Sequence, residues 1–231
     1  VITAAVQDTI NQARRYADQE TASPEADFTT DSGDYLTLFA ISYRRLVDLI
    51  IASDAAELIA QRVDVLPSGG YPLPVDCYHV LAVERQDYDP SYWRTLELAN
   101  FHERNFYRDT ENPRYRVMNG PSAVPCVLLF PEAAAPGALR AWYVPLQTTY
   151  TLGDTYVTYG GWDDYVALDM AIAAVAKEDR DTAALRTAFD AAAKRVKQSC
   201  QSNALSTPEK IADVAHYPEQ SYDVRQTRWG W

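Results

Sequence analysis

Three histidines, at positions 79, 102 and 216, bound the acid–base chemistry open to this chain. His79 stands between Tyr78 and Val80 in a strand-like run, the setting of a hydrogen-bonded structural histidine. His102 opens FHERNF, which lacks the second histidine that would complete a metalloprotease helix. His216 belongs to the C-terminal stretch. There is no G-x-S-x-G elbow, no phosphate-cradling glycine run and no C-x-x-C pair. Gly69-Gly70 and Gly160-Gly161 read as turn and cap glycines. Cys77, Cys126 and Cys200 are an odd number without metal-ligand spacing, so they read as free, reduced and mostly buried thiols. The expectation is a protein that is not an enzyme, with no catalytic, cofactor or metal site.

Asp169 is electrostatically out of place. It lies in the most apolar helical stretch of the chain, where an unpaired ionised carboxylate would be too costly to bury. A cation on a neighbouring helix is therefore expected, with Arg14, Arg15, Arg44 and Arg45 available and Arg44 the first choice. Removing Asp169 should then cost about 3–5 kcal/mol by stranding a buried arginine. The 16 tyrosines and 5 tryptophans point to protein contacts, because such side chains are favoured at interfaces. Trp142 and Tyr143 lie in a strand and are explained by core packing. Tyr217, Tyr222, Arg225, Arg228, Trp229 and Trp231 lie in a polar stretch without periodicity, which cannot build its own core. An apolar end of that kind reads as a binding element.

Composition narrows the class. Apolar residues make up 47% and charged residues 23%, ordinary values for a soluble globular protein. The net charge of −11 leaves too few clustered cations to grip a phosphate backbone. No run approaches the roughly 18–20 apolar residues of a membrane helix. VITAAVQDTI shows neither a basic nor an apolar signal region, so no signal peptide is expected.

The elements that must carry these residues alternate in type. Residues 3–19 and 34–53 have helical periodicity and are separated by a Ser/Thr/Asp-rich loop with Pro24. From 61 to 159 the chain is rich in Val, Tyr, Pro and turn pairs, which predicts four or five short strands, with ELANFHERNFYR as a crossover helix. CYHVLAVER reads as a strand buried on both faces. WDDYVALDMAIAAVAKED is apolar around most of its circumference, as a central helix would be, and EDRD links it to TAALRTAFDAAAKRVKQSC as an antiparallel hairpin. STPEKIADVAH predicts two further helical turns, capped by Thr207 with Pro208 first in the helix. The resulting expectation is α+β: a four-helix bundle interrupted by a small antiparallel β domain, with an extended C-terminal arm. Its parts are residues 1–60 (first helix pair), 61–159 (β insert), 160–204 (second helix pair) and 205–231 (arm).

FAISYRRLVDLIIAS, YPLPVDCYHVLAV, RYRVMNG with the following VLLFPEAAAPGALRAWYVP, and YGGWDDYVALDMAIAAVAKEDRD are together similar to the head-to-tail connector, or adaptor, family of tailed bacteriophages. The resemblance spans about residues 30–200. Its most specific parts are the Leu-Pro-x-Asp turn at Leu73–Asp76, the Trp-Tyr-Val-Pro strand end at 142–145 and the Gly-Trp-Asp-Asp-Tyr helix start at 161–165. All three are packing or turn signatures. The resemblance implies a structural virion protein in the neck at the portal vertex, assembled in the host cytoplasm. It implies a homo-oligomeric ring, commonly of twelve copies, under the portal protein. The C-terminal arm would dock on the portal, the lower face would receive the next tail component (tube, stopper or nozzle), and DNA would pass through the lumen without specific binding or any membrane contact. The arm is the least family-like part of the chain. The alternative is an aromatic-rich receptor- or carbohydrate-binding tail module, which would show an exposed Tyr/Trp groove within residues 61–159 and no ring.

Overall fold

The computed structural model describes residues 2–17, 28–65, 71–86, 92–119, 125–131 and 138–206. The helix that is apolar all round, α3 (Trp162–Lys177), is packed against each of the other three, α1 (Val6–Tyr16), α2 (Phe28–Ala52) and α4 (Ala183–Ser206). From Trp162 through Val175 its side chains are buried or half-buried all the way round, which is why amphipathic patterning is absent from it. α3 starts from Gly161, which takes φ of 89°, a left-handed conformation that glycine adopts without a Cβ penalty. Its first turn carries Asp163 and Asp164, on the side where the helix dipole favours negative charge. Asp164 also accepts from Gln12 of α1 at 2.6 Å and pairs with Arg195 of α4 at 3.7 Å, tying three helices at one point.

α2 buries a ridge of Tyr35, Phe39, Tyr43, Leu46, Val47 and Ile50. Ile41, on the same helix, is 45% exposed, because the aromatic residues set the phase of the helix. Phe39 and Tyr43 meet Tyr150 and Tyr156 edge to face, with centroids 5.0–6.0 Å apart. Tyr156 reaches this cluster from a two-stranded antiparallel ribbon of β1 (Ile2–Ala5) and β9 (Thr155–Thr158).

The remaining strands form two antiparallel sheets. One has the order β2 (Gln61–Val65), β8 (Leu139–Pro145), β4 (Cys77–Gln86), β5 (Trp93–Thr95); the other has β3 (Tyr71–Pro72), β7 (Pro125–Phe130), β6 (Arg114–Asn119). They share a second core that includes Val65, Val83, Leu96, Tyr115, Val127, Leu139 and Ala141. β4 and β8 also send Tyr78, Leu81 and Val144 into the helical core, so these two strands belong to both. Register shifts between Cys77 and His79 and between Val80 and Ala82 let β4 change which side chains face which core.

A four-helix bundle interrupted by a small β domain is therefore not what this chain forms. The molecule is α+β, but among the described residues four helices are accompanied by nine strands in three antiparallel sheets. One of those sheets, the β1–β9 ribbon, lies inside the helical body. The expected helix over 3–19 is shortened to Val6–Tyr16, because Ile2–Ala5 pair with a strand some 150 residues away. The expected crossover helix is a single 3-10 turn at Phe101–Glu103. β4 is half-buried along most of its length and not enclosed on both faces. His79, on β4, is exposed and its imidazole makes no hydrogen bond among the described residues, so its side chain is not the hydrogen-bonded structural histidine expected. The turns predicted after Thr207 lie outside the described residues.

Candidate functional site

The expected contact arm, with Tyr217, Tyr222, Arg225, Arg228, Trp229 and Trp231, lies outside the described residues. Asp169 is described, and its partner is not Arg44. Arg45 Nη1 donates to both carboxylate oxygens at 2.9 Å, and Ser42 Oγ donates to Oδ2 at 2.7 Å. The reason is helical phase: Ser42 and Arg45 are three residues apart on the face of α2 that meets α3, whereas Arg44 is rotated away. Arg45 is also 58% exposed at its side chain, so it is not the buried cation from which a loss of 3–5 kcal/mol was expected.

Arg44 serves another contact. Its guanidinium lies 5.1 Å from the ring centroid of Tyr78 on β4, and its Nε donates to the Tyr78 hydroxyl at 3.3 Å. That hydroxyl in turn donates to Asp48 Oδ1 at 2.6 Å. The triad pins α2 to the strand shared by both cores. Close by, Cys77 N–H closes the Leu73–Asp76 turn on Pro74 O at 3.0 Å, and Leu146 N–H donates to Asp76 O at 2.8 Å. Cys77 pairs across the sheet with Pro145. The Leu-Pro-x-Asp turn and the Trp-Tyr-Val-Pro strand end, seventy residues apart in sequence, are thus one joint. The third signature residue, Trp162, is fully buried, and its indole N–H donates to Ser199 Oγ of α4 at 3.0 Å.

The tyrosines of the helical core and the Cys77 thiol are raised chiefly by burial. Burial pushes Tyr43 up from 10.0 to about 12, against a smaller opposing effect of the Val157 backbone hydrogen bond. Tyr150 and Tyr156 are raised further, again chiefly by burial. Burial, with help from the Asp76 charge, raises the Cys77 thiol to about 11, so it is no thiolate nucleophile at neutral pH. Cys126 and Cys200 are buried free thiols.

One surface was not anticipated from sequence. An open cleft of about 650 Å³ on the β region is lined by Arg94, Arg108, Arg114, Phe106, Tyr107 and Asn112, among others. Asp109 organises its floor by accepting from the backbone N–H of Glu111 at 2.9 Å and the side chain of Asn112 at 2.9 Å. Those bonds, led by the one from the Asn112 side chain, hold the Asp109 carboxyl below its ordinary range. Asn112 then accepts from Arg94. Guanidinium groups cover most aromatic rings of this segment: Arg140 lies 3.9 Å from Trp93, Arg104 4.4 Å from Phe101 and Arg114 4.9 Å from Tyr107. The sequence signal was present in five arginines within residues 93–116 of an acidic chain, but helical patterning claimed the segment first.

Among the described residues no group of three His, Cys, Asp or Glu could hold a metal ion, and no helix is long and apolar enough to cross a membrane. No family model matches the chain, and no curated protein matches it in sequence.

Proposed function

We propose that this chain is a head-to-tail adaptor of a tailed bacteriophage. In this reading it is a structural, non-enzymatic virion protein whose copies form a ring, twelve in the usual family arrangement, between the portal protein and the next tail component. The arm of residues 205–231 docks on the portal, and DNA passes through the lumen without being held. Assembly takes place in the host cytoplasm, and the finished protein resides in the neck. The reading rests on the resemblance. The observation that supports it best is that the resembling signatures are joints of the fold: Leu73–Asp76 meets Trp142–Pro145 where sheet meets helix, and Trp162 clamps α3 to α4. The acidic surplus fits a channel that repels DNA and lets it slide.

The rival carbohydrate-binding reading needs free aromatic faces in the β region. Trp93 carries Arg140 on one face and Arg62 lies 6.0 Å from Trp142, while Tyr92 and Phe106 are exposed, so assembly state and not aromatic exposure decides between the readings. Native mass measurement and negative-stain imaging of the full chain, with and without its portal protein, separate the two. A ring on the portal is expected; a chain that stays monomeric and leaves the portal bare would end the adaptor reading. Tight, salt-sensitive DNA binding by the isolated chain would end the sliding-channel part of it.

A further inference from the structure

We infer that the Arg/aromatic cleft of the β region is the face by which one copy of this chain docks on the acidic helical body of the next. The inference rests on the ring proposed above and names the contact that would close it.

The segment from Trp93 to Arg116 follows one rule with two exceptions. Trp93, Phe101 and Tyr107 each carry a guanidinium over the ring, and Tyr115 is buried in the second core. Phe106 alone among these rings is 78% exposed, with neither a ring nor a cation contact among the described residues. Arg108, two residues on, is exposed and makes no ion pair or hydrogen bond among them. Both line the same cleft. An uncovered aromatic beside an uncompensated guanidinium, on a floor stiffened by Asp109 and Asn112, has the composition of an interface hot spot. Tyr92 and Leu98, 61% and 63% exposed, extend the apolar surface in the same segment.

Charge selects the occupant. Residues 93–116 carry five arginines against four carboxylates, in a chain with 32 acidic and 21 basic residues overall. The helical body exposes Asp54, Glu57, Asp179 and Asp181, which are partners of the right sign. The cleft lining carries Arg94, Arg108 and Arg114 against Glu97 and Asp109, a positive surplus that an acidic face complements better than a second copy of the cleft does. A cleft that meets a different face of its neighbour is heterologous, and such a contact closes into a ring where its rotation closes. Phe106 would be covered on docking, and Arg108 would find a carboxylate.

The test uses the full chain in two ways. Phe106→Ala with Arg108→Glu changes two exposed side chains and should leave melting unchanged. It should raise the concentration needed for ring formation, alone or on portal, by at least about tenfold. In parallel, a photo-reactive benzoylphenylalanine at position 106, in mixtures of isotopically distinct copies, should crosslink between copies and onto the acidic helical surface. Rings that form at the same concentration despite the double substitution overturn this face and leave the adaptor reading intact. Crosslinks from position 106 to the portal and not to a second copy do the same. Absence of rings under every condition removes the adaptor reading, and this contact with it.

Discussion

Ser42 is 2% exposed and gives its hydroxyl to Asp169, so the carboxylate has a buried dependant as well as a surface cation. Replacing Asp169 with Ala strands that hydroxyl, and we expect a loss of about 1–3 kcal/mol in urea denaturation. Arg45→Ala should cost more, about 3 kcal/mol, because it leaves the buried Asp169 carboxylate with the Ser42 hydroxyl and no cation. Adding Ser42→Ala to Asp169→Ala should recover part of the loss; a double variant no more stable than Asp169→Ala would mean that the hydroxyl is hydrated in solution. The tyrosine cluster makes a second residue-level expectation, on pH. Below pH 10 Tyr43 is protonated in both the folded and the unfolded chain, and its contribution to stability is complete. Between 10 and 12 the unfolded chain ionises first, so stability falls as pH rises through that window. Tyr150 and Tyr156 are shifted in the same direction and add to the effect. Tyrosinate absorbance and circular dichroism should therefore change together in an alkaline titration. Tyrosinate absorbance that rises in one step with its midpoint near pH 10, with the circular dichroism unchanged, would show that water already reaches the cluster.

The β1–β9 ribbon carries more of the helical body than its four-residue strands suggest. It supplies Asp154 O to the first backbone N–H of α1, at 3.0 Å, and holds the Tyr156 hydroxyl 2.8 Å from Thr9. Ala4 packs against the helical core from β1, so Ala4→Asp places a carboxylate against apolar neighbours. We expect a loss of roughly 1–3 kcal/mol, with faster hydrogen exchange in β9 and the first turn of α1. Unchanged exchange in those amides would show the ribbon to be dispensable. This strand pair also marks the limit of what could be read from the chain. The central helix was legible, because Trp162, Tyr165, Val166 and Met170 leave it no polar face. The start of α1 was not, because helical spacing continues through Thr3 and Ala5 and only the distant partner Thr155–Thr158 makes them a strand. Arg45 was not separable from Arg44 for a related reason: one residue turns the side chain about 100° round the helix, and the phase of α2 is set by Phe39 and Tyr43 meeting residues more than a hundred positions away. The cleft was missed because stacks of arginine on aromatic rings follow no period.

On the scale of the whole molecule, the helical core and the β core are joined by β4 and β8, which place Val144 in one and Val83 in the other, both fully buried. Strands shared in this way couple the two cores, and the described body should melt in one transition. The arm is a separate matter of energy. Burying each large aromatic of Tyr222, Trp229 and Trp231 contributes about 1.5–3 kcal/mol. Ordering a flexible backbone costs about 1–2 kcal/mol per residue, so three aromatics do not hold the stretch from Pro218 to Trp231 unaided. In the adaptor reading, backbone hydrogen bonds to the portal, pairing of Arg225 and Arg228 with carboxylates, and the linkage of many arms in one ring would supply the difference. That reading gives the arm a part in docking and none in the body's own stability. Ending the chain after Ser206 should leave the melting transition within a degree or two of the full chain and abolish capture of the protein on immobilised portal rings. Trp229→Ala with Trp231→Ala should weaken capture without abolishing it, because the backbone and arginine contacts remain. A truncated chain that is captured as well as the full one would show that the ring is anchored through its body, with the tryptophans committed to some other contact.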